Sequence, residues 1–363
     1  MVYRVIGLMS GSSLDGLDIV FTELEESGGK WSYEIKAADC YAYNKQWTEK
    51  LQSATKQNAF DYLLLHAEYG RYIGHKVNEF IETNNLYHRV QLVSSHGHTT
   101  FHAPQKGMTA QLGDGAAIAA VTGLNTVSDL RALDVALGGQ GAPIVPMGEK
   151  LLWDDVDYFL NLGGIANLSC NKKNAFIAFD ICPANRVLNM LAQQTGKAFD
   201  EDGTIAKTGT INTILLDALN SLSYYALTFP KSLDNSFGTE TVFPLIQSFR
   251  LSNADSLRTY TAHIVQQLIH AINQILPVSQ NSKLLVTGGG AFNIFLTDEM
   301  KKALASFRID IIIPGDNLVK YKEALIMALL GVLRWREENT VLSSVTGAKR
   351  NSIGGAVWIG QEA

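Results

Sequence analysis

Two runs rich in apolar and β-branched residues, Tyr3-Arg-Val-Ile-Gly-Leu-Met9 and Leu17-Asp-Ile-Val-Phe-Thr-Glu23, flank a stretch of small residues near the start of the chain. The pattern predicts a β-hairpin whose turn is Gly7-Leu-Met-Ser-Gly-Ser-Ser-Leu-Asp-Gly-Leu-Asp18, followed by a further antiparallel strand over 32–40. From Asp61 to Thr83 the apolar residues Leu64, Leu65, Tyr69, Ile73, Val77, Phe80 and Ile81 recur at helical spacing, with Gly70 and Gly74 weakening the middle. A short buried strand over 90–95 then ends on Ser95-His-Gly-His-Thr-Thr-Phe-His102. Strands at 109–113 and 125–128 flank a helix for which Asp114 is placed as the cap. Residues 129–143 hold too many glycines for a helix and too little alternation for a strand, which predicts a loop carrying Asp129, Arg131 and Asp134.

The second half starts as the first does. Residues 157–162 read as a strand, Gly163-Gly164 as a turn and 165–170 as the returning strand; the strand 175–180 ends on Asp180, ahead of a helix over 185–192. Gly288-Gly289-Gly290 follows the strand 283–287 and opens a helix towards Leu304, and a helix near 319–335 carries the chain back.

The chemistry of these turns changes the picture. At the first hairpin Ser10, Gly11, Ser12, Ser13, Asp15 and Gly16 combine small residues, which let backbone N–H groups approach a ligand, with hydroxyls able to donate to an oxyanion. Asp15 and Asp18 are carboxylates able to hold a hydrated Mg²⁺ through water. An ordinary Gly/Ser/Asp turn remains the plain alternative. Neither Walker-A nor G-x-G-x-x-G spacing is present. Three glycine clusters at strand ends, one in each half and one opening a helix, favour nucleotide binding and an internal duplication. His96, His98 and His102 raise a zinc-hydrolase reading; the zinc signatures that pair a helix-borne H-E-x-x-H or join His to Cys do not occur, which favours polar contacts to a substrate.

Length and charge set the bounds. The 363 residues suit two or three domains, and the net charge of −5 with pI near 5.9 argues against nucleic acid or an anionic membrane as partner. Three widely spaced cysteines fit reduced thiols. The apolar run Ala324 to Leu333 is too short to span a bilayer. The chain runs from Met1 straight into a strand, and the expectation is a cytoplasmic protein without a signal peptide.

The motifs G-L-M-S-G-S-S-L-D-G-L-D at 7–18, S-H-G-H-T at 95–99, D-L-R-A-L-D-V-A-L-G-G-Q-G-A-P at 129–143, N-L-G-G-I-A-N at 161–167 and T-G-G-G-A-F-N at 287–293 stand in the order found in anhydro-N-acetylmuramic acid kinases, and over nearly its whole length the chain resembles that family. The resemblance implies an α/β fold of two ribonuclease-H-like domains, of the actin, Hsp70 and sugar-kinase type, with an interdomain cleft that closes on ATP. The expected bounds are 1–128 with 338–363 for the first domain and 129–337 for the second, which carries the sugar-site loops 199–203 and 229–238.

It further implies a phosphotransferase of cell-wall amino-sugar recycling. Water attacks C1 of a 1,6-anhydro sugar, and the freed O6 takes the γ-phosphoryl group of ATP, with Mg²⁺ as counter-charge. The family's base falls on Asp180, for which a helix cap is the plain alternative. Its nucleotide contacts fall on the Ser10–Gly16 turn, on Gly163, Gly164 and Asn167, and on Gly288, Gly289, Gly290 and Asn293. Its sugar contacts fall on His96, Thr99, Arg131 and Glu323, with Arg131 able to fork onto a lactyl carboxylate; a homodimer is left open.

The chain departs from the family in reading Asp180-Ile-Cys-Pro-Ala-Asn185 for D-T-G-P-G-N, His98 for a common Gln, and Ser236-Phe-Gly-Thr-Glu240 for S-T-G-R-E. These departures put the sugar's identity in question. They also keep two alternatives open, a kinase for a related sugar and a nucleotide-binding regulatory module of the same fold.

Overall fold

β1 (Val2–Ser10) and β2 (Gly16–Ser27) form the expected hairpin, in register from Val2 opposite Glu25 to Ser10 opposite Leu17, and β3 (Lys30–Ala42) adds antiparallel to β2. These strands belong to a computed structural model that describes all residues except 12, 13, 173, 174, 230, 235, 276–280, 362 and 363. By its internal contacts the chain forms two units, Met1–Asp154 with Tyr321–Ala363, and Asp155–Lys320.

In the first unit β1 is flanked on its other side by β4 (Leu92–Ala103), parallel to it, and β4 by the parallel β6 (Thr126–Ser128). β12 (Ala356–Trp358) closes that edge antiparallel, and β5 (Met108–Leu112) folds back on the outer half of β4. β4 therefore continues through His96, His98 and His102, well beyond the strand end expected at Ser95; β5 supplies the pairing, with His98 opposite Leu112 and Thr99 opposite Gln111.

One face of this sheet, with Ile6, Leu8, Ile19 and Phe21, packs on Leu65, Tyr69, Ile73, Val77 and Phe80 of the helix Ala59–Thr83. Asn58 caps that helix by accepting from Asp61 N, and Leu64, expected on its buried side, is exposed. Further along the unit, the helix Asp316–Trp335 comes so close to β1 that a Cβ on Gly7 would lie 2.0 Å from the carbonyl oxygen of Ala324 and 2.7 Å from Ala328 N. Gly331 fits in the same way over Ser94. Both strands are buried on two faces, which is why their sequences read as continuous apolar runs rather than strict alternation.

The stretch 129–143 is not wholly loop. It contains the short helix Ala132–Ala136, and the buried Asp134 ties it down by accepting from Gly141 N at 2.7 Å and from Thr346 Oγ1 at 2.8 Å. These bonds join 129–154 to the C-terminal segment of the same unit. The division thus falls at Asp154 and within the late helix at Tyr321, where the backbone leaves helical angles (φ −117°, ψ 16°), rather than at the expected 128 and 338. The glycine-rich stretch is expected to be a loop; its buried carboxylate makes it part of the packing.

The second unit repeats the strand order. β7 (Tyr158–Leu162), β8 (Ile165–Lys172) and β9 (Ala175–Pro183) form an antiparallel set, and β10 (Ser282–Thr287) and β11 (Ile309–Ile312) continue parallel from β7. The order β11-β10-β7-β8-β9 matches β6-β4-β1-β2-β3 of the first unit, both in sequence rank and in strand direction. The duplication suggested by the glycine clusters is thus visible in the topology. The helix Asn253–Ile275 buries Leu257, Tyr260, Ile264, Leu268 and Ile272 in this unit's core. Among the described residues no helix is long and apolar enough to cross a membrane.

Candidate functional site

In the second unit the two later glycine clusters meet. Gly288, at φ 81°, has room for no side chain: a Cβ would lie 2.6 Å from Asn161 Oδ1 and 2.8 Å from the carbonyl of Leu162. Gly290 is closed off by Leu162 and Asn185 in the same way. Gly163, Gly164 and Gly289 differ, because a Cβ on each would meet nothing closer than 3.5 Å. Packing within the unit therefore demands glycine at 288 and 290 but leaves 163, 164 and 289 open to an approaching group.

The helix Asn185–Gln193 begins on the Gly163–Gly164 turn. Gly164 O accepts from Ala184 N at 2.8 Å and Gly163 O from Asn185 N at 3.0 Å, while the Asn185 side chain donates to Leu162 O at 2.8 Å. Asn293 caps the helix Ile294–Leu304 by accepting from Leu296 N at 3.0 Å, so its side-chain oxygen is already engaged.

Asp180 lies inside β9, three residues before the strand ends, rather than at a strand-to-helix junction, and it caps no helix. A register shift at Ala166–Asn167 aligns Asn167 with Asp180. The carboxylate accepts from Leu233 N at 2.8 Å and from Asn167 Nδ2 at 3.5 Å. The main chain is held as well, since Asp180 N donates to Lys231 O and Tyr224 Oη donates to Asp180 O at 2.8 Å. Burial raises the Asp180 pKa, while the bonds from Leu233 and Asn167 act to lower it. The result is a fixed carboxylate of raised basicity with lone pairs to spare, which is what proton abstraction requires.

Nearby, the Lys231 ammonium lies over the rings of Tyr224 at 4.8 Å and Phe179 at 5.9 Å. Cys182 and Ala184, which replace the glycines of the family motif, both adopt negative φ, with Ala184 at φ −123° and ψ −103°. Burial pushes the Cys182 thiol up, away from the reactive thiolate.

In the first unit Ser10 is buried, and its hydroxyl belongs to a chain of side chains. Tyr43 Oη donates to Ser10 Oγ at 2.8 Å and lies 2.5 Å from Tyr69 Oη, and Ser10 Oγ lies 3.1 Å from His98 Nδ1. Burial holds the His98 pKa at about 4, leaving a neutral ring whose Nδ1 can accept from Ser10. The Ser10 hydroxyl is therefore committed internally rather than free for an oxyanion. Gly11 accepts at long range from Leu14 N at 3.4 Å. Gly16 is required by packing, with a Cβ there 2.7 Å from Cys40 Sγ. Ser12 and Ser13 lie outside the described residues.

Asp15 is exposed. Asp18 stands opposite Cys40 on β3, and its pKa rises to about 6 through burial, eased by the bond to Cys40 and reinforced by the charges of Glu323 and Asp15. In return burial and Asp18 push the Cys40 thiol up to about 12.

Arg131 donates Nε–H to His96 Nε2 at 2.7 Å and a terminal N–H to Gly141 O at 2.6 Å. His96 Nδ1 lies 2.9 Å from Gly97 O, which fixes the proton on Nδ1; burial, and then Arg131, hold the ring pKa at about 3. Burial lowers Arg131 to about 10, against the pull of Glu323 and Asp134. Glu323 is the eighth residue of its helix, two past the break at Tyr321; burial raises its pKa, with Lys322 and Arg131 lowering it.

His96, Arg131, Glu323, Asp18 and Asp15 thus form one electrostatically linked set. Thr99 is exposed and accepts only a long bond, 3.4 Å from Gln111 Nε2. The zinc reading is overturned: His96 Nε2 is taken by Arg131, His98 Nδ1 faces Ser10, His102 Nδ1 faces Thr109 Oγ1, and the described residues hold no cluster able to bind a metal through three His, Cys, Asp or Glu side chains.

Sequence reading did not single out Asn185, Tyr43 or Leu233. Asn185 carried a signal as the retained last residue of the family's D-T-G-P-G-N motif. The other two act through a phenol from β3's end and a backbone N–H, which no motif reveals.

A family model described as anhydro-N-acetylmuramic acid kinase matches residues 3–360. Relatives carrying that name include proteins of Sulfurovum sp. (strain NBC37-1) and Aliivibrio fischeri, each 32% identical over 98% of this chain and 99% of their own, and one from Bacillus thuringiensis subsp. konkukian, 29% identical over 97% and 98%. Among solved structures, an activator of 2-hydroxyisocaproyl-CoA dehydratase from Clostridium difficile with bound ADPNP matches 92% of this chain and 96% of its own at 14% identity and a TM-score of 0.47. With nearly its full length matched, the chain belongs to the anhydro-N-acetylmuramic acid kinase family.

Proposed function

We propose that the chain is an ATP-dependent kinase that opens 1,6-anhydro-N-acetylmuramic acid by hydrolysis and phosphorylates O6, yielding N-acetylmuramic acid 6-phosphate and ADP. Family membership supports the reaction class, and Asp180 carries the mechanistic reading: its raised pKa and twofold anchoring suit a general base. In this reading Asp180 removes a proton from the water that attacks C1. The C1–O6 bond breaks, and the electron pair left on O6 attacks the γ-phosphorus as ADP departs.

Gly163, Gly164 and Gly289 are read as leaving room for the nucleotide, with Gly288 and Gly290 shaping the turn between them. Arg131, held by His96 and Gly141, is read as the fork for the sugar's carboxylate, with Glu323 and Thr99 as further sugar contacts. Mg²⁺ fits the first unit's carboxylates: burial and the charges of Asp15 and Glu323 hold Asp18 at about 6, and a divalent cation answers that repulsion. Asp15 and Asp18 would hold it through water, as suits a hard and reluctantly dehydrated ion. When bound it would neutralise charge on the transferring phosphoryl group.

A coupled ADP assay over anhydro-sugars and ordinary hexosamines tests the reading. ADP is expected with 1,6-anhydro-N-acetylmuramic acid and not with hexosamines that lack the bridge. ATP bound without any sugar-dependent ADP would overturn it and leave a regulatory module.

A further inference from the structure

Arg186 is the second residue of the Asn185–Gln193 helix and stands beside the Gly163–Gly164 turn. A Cβ on Gly164 would lie 3.7 Å from its Nε and 3.9 Å from its Nη2. Four arginines have their Nε–H accepted: Arg4 by Glu23 Oε1, Arg131 by His96 Nε2, Arg334 by Gly355 O and Arg336 by Glu338 Oε1. Arg186 does not. Its Nε is enclosed by the protein with no acceptor, the residue as a whole is partly exposed, and among the described residues no carboxylate pairs with its guanidinium, so an incoming anion would meet the terminal N–H groups of the fork. An enclosed N–H of a permanently charged group left unpaired is costly, and such groups in folded proteins ordinarily have a reason.

The surroundings supply one. The backbone N–H groups that open this helix are turned onto the carbonyls of Gly163 and Gly164, so the helix end itself offers little to an anion. Gly164, beside the guanidinium, and its neighbour Gly163 keep open space where a side chain would fit, and so does Gly289 next to Asn185. A planar fork of donors beside an open glycine turn matches a phosphoryl group in shape and charge.

We propose that Arg186 binds a phosphoryl oxygen of the nucleotide over the Gly163–Gly164 turn. The assignment rests on the nucleotide reading given above and adds to it the residue that recognises the phosphate.

Calorimetric titration of the full-length chain with ATP, adenosine and 1,6-anhydro-N-acetylmuramic acid tests it, with wild type compared to Arg186→Lys and Arg186→Met. ATP affinity is expected to fall at least about 10-fold in Arg186→Met and less in Arg186→Lys, with adenosine and the sugar held within about 2-fold, as loss of one charge-assisted contact requires. Thermal melts matching wild type identify the folded variant on which the comparison is made, and Arg186→Lys keeps the stem and charge if the Met variant melts early. Unchanged ATP affinity in the variants overturns the assignment alone. A loss confined to the acidic sugar also overturns it and gives Arg186 to the substrate carboxylate. Failure of wild type to bind ATP overturns the nucleotide reading and this assignment together.

Discussion

Arg131 gives its Nε–H to Nε2 of His96 across 2.7 Å, and that bond decides what each residue can do. With Nε2 accepting and Nδ1–H turned to Gly97 O, His96 is a neutral positioner. Burial penalises protonating it, and the positive charge of the guanidinium adds to that penalty, which together hold its pKa at about 3. His96→Ala is expected to raise KM for the sugar roughly 10-fold or more, with KM for ATP unchanged, because Arg131 loses its anchor. His96→Gln, which retains an acceptor, should recover part of that loss. Steady-state kinetics with each substrate varied in turn check this, and the pH profile should show no limb between pH 5 and 8 that disappears in His96→Gln.

Replacing Asp180 by Asn keeps the shape and the bond from Leu233 N but removes the proposed base. The expected result is a fall in kcat of roughly 10²–10⁴-fold with ATP affinity unchanged. Burial raises this carboxyl's pKa above its usual value, so protonation silences it at a higher pH than an exposed aspartate would require. The acid limb of the wild-type rate profile should therefore lie above pH 3.8 and be absent from the residual activity of Asp180→Asn. Identical profiles for the two proteins would remove Asp180 from the proton transfer.

Asp18 links charge to stability. Its folded pKa of about 6 exceeds the ordinary 3.8, through burial first and then the charges of Glu323 and Asp15, so the fold favours the protonated acid. Its contribution is fully present below about pH 4 and is lost as pH rises through 6. Asp18→Asn is expected to stabilise the protein at pH 8 by on the order of 2 kcal/mol, with a smaller gain at pH 5. Thermal melts at the two values measure it. If Mg²⁺ answers this charge, the stabilisation by Mg²⁺ with ATP should be larger at pH 8 than at pH 5 in wild type, and the difference should shrink in Asp18→Asn.

Much of the scaffold was legible because local patterns carried it. The two hairpins, the Asp114 cap and the long helix before Thr83 all rest on alternation, turn residues or helical spacing, which act over a few positions. The misreadings share a different cause. β4 runs through His96, His98 and His102 because β5 returns to pair with it, and Asp134 pins the 129–143 stretch through Thr346, over two hundred positions away. Leu64 stands out in solvent although its spacing fits the buried stripe, since a helix wheel cannot say where the stripe ends. At the candidate site the two later glycine motifs fall on turns that pack together, yet identical residue types have different reasons for being glycine. Gly16, Gly288 and Gly290 are excluded from having side chains by their own unit, while Gly163, Gly164 and Gly289 are not.

That difference separates folding from binding at the level of a single methyl group. Gly7→Ala would drive a Cβ to 2.0 Å from Ala324 O and 2.7 Å from Ala328 N, both backbone atoms of a packed helix that cannot yield as a side-chain tip can. It should destabilise the protein by about 1–3 kcal/mol or more, the usual cost of overpacking a filled core. Gly163→Ala meets nothing closer than 3.5 Å and lies at a position with no positive φ, so its melting temperature should match wild type. If the open side of that turn receives the nucleotide, the same methyl group obstructs it, and ATP affinity should fall while stability holds. Melting curves and ATP titrations of the two variants give the comparison. A Gly163→Ala protein with wild-type ATP affinity would show that the space beside this turn is not where the nucleotide lies.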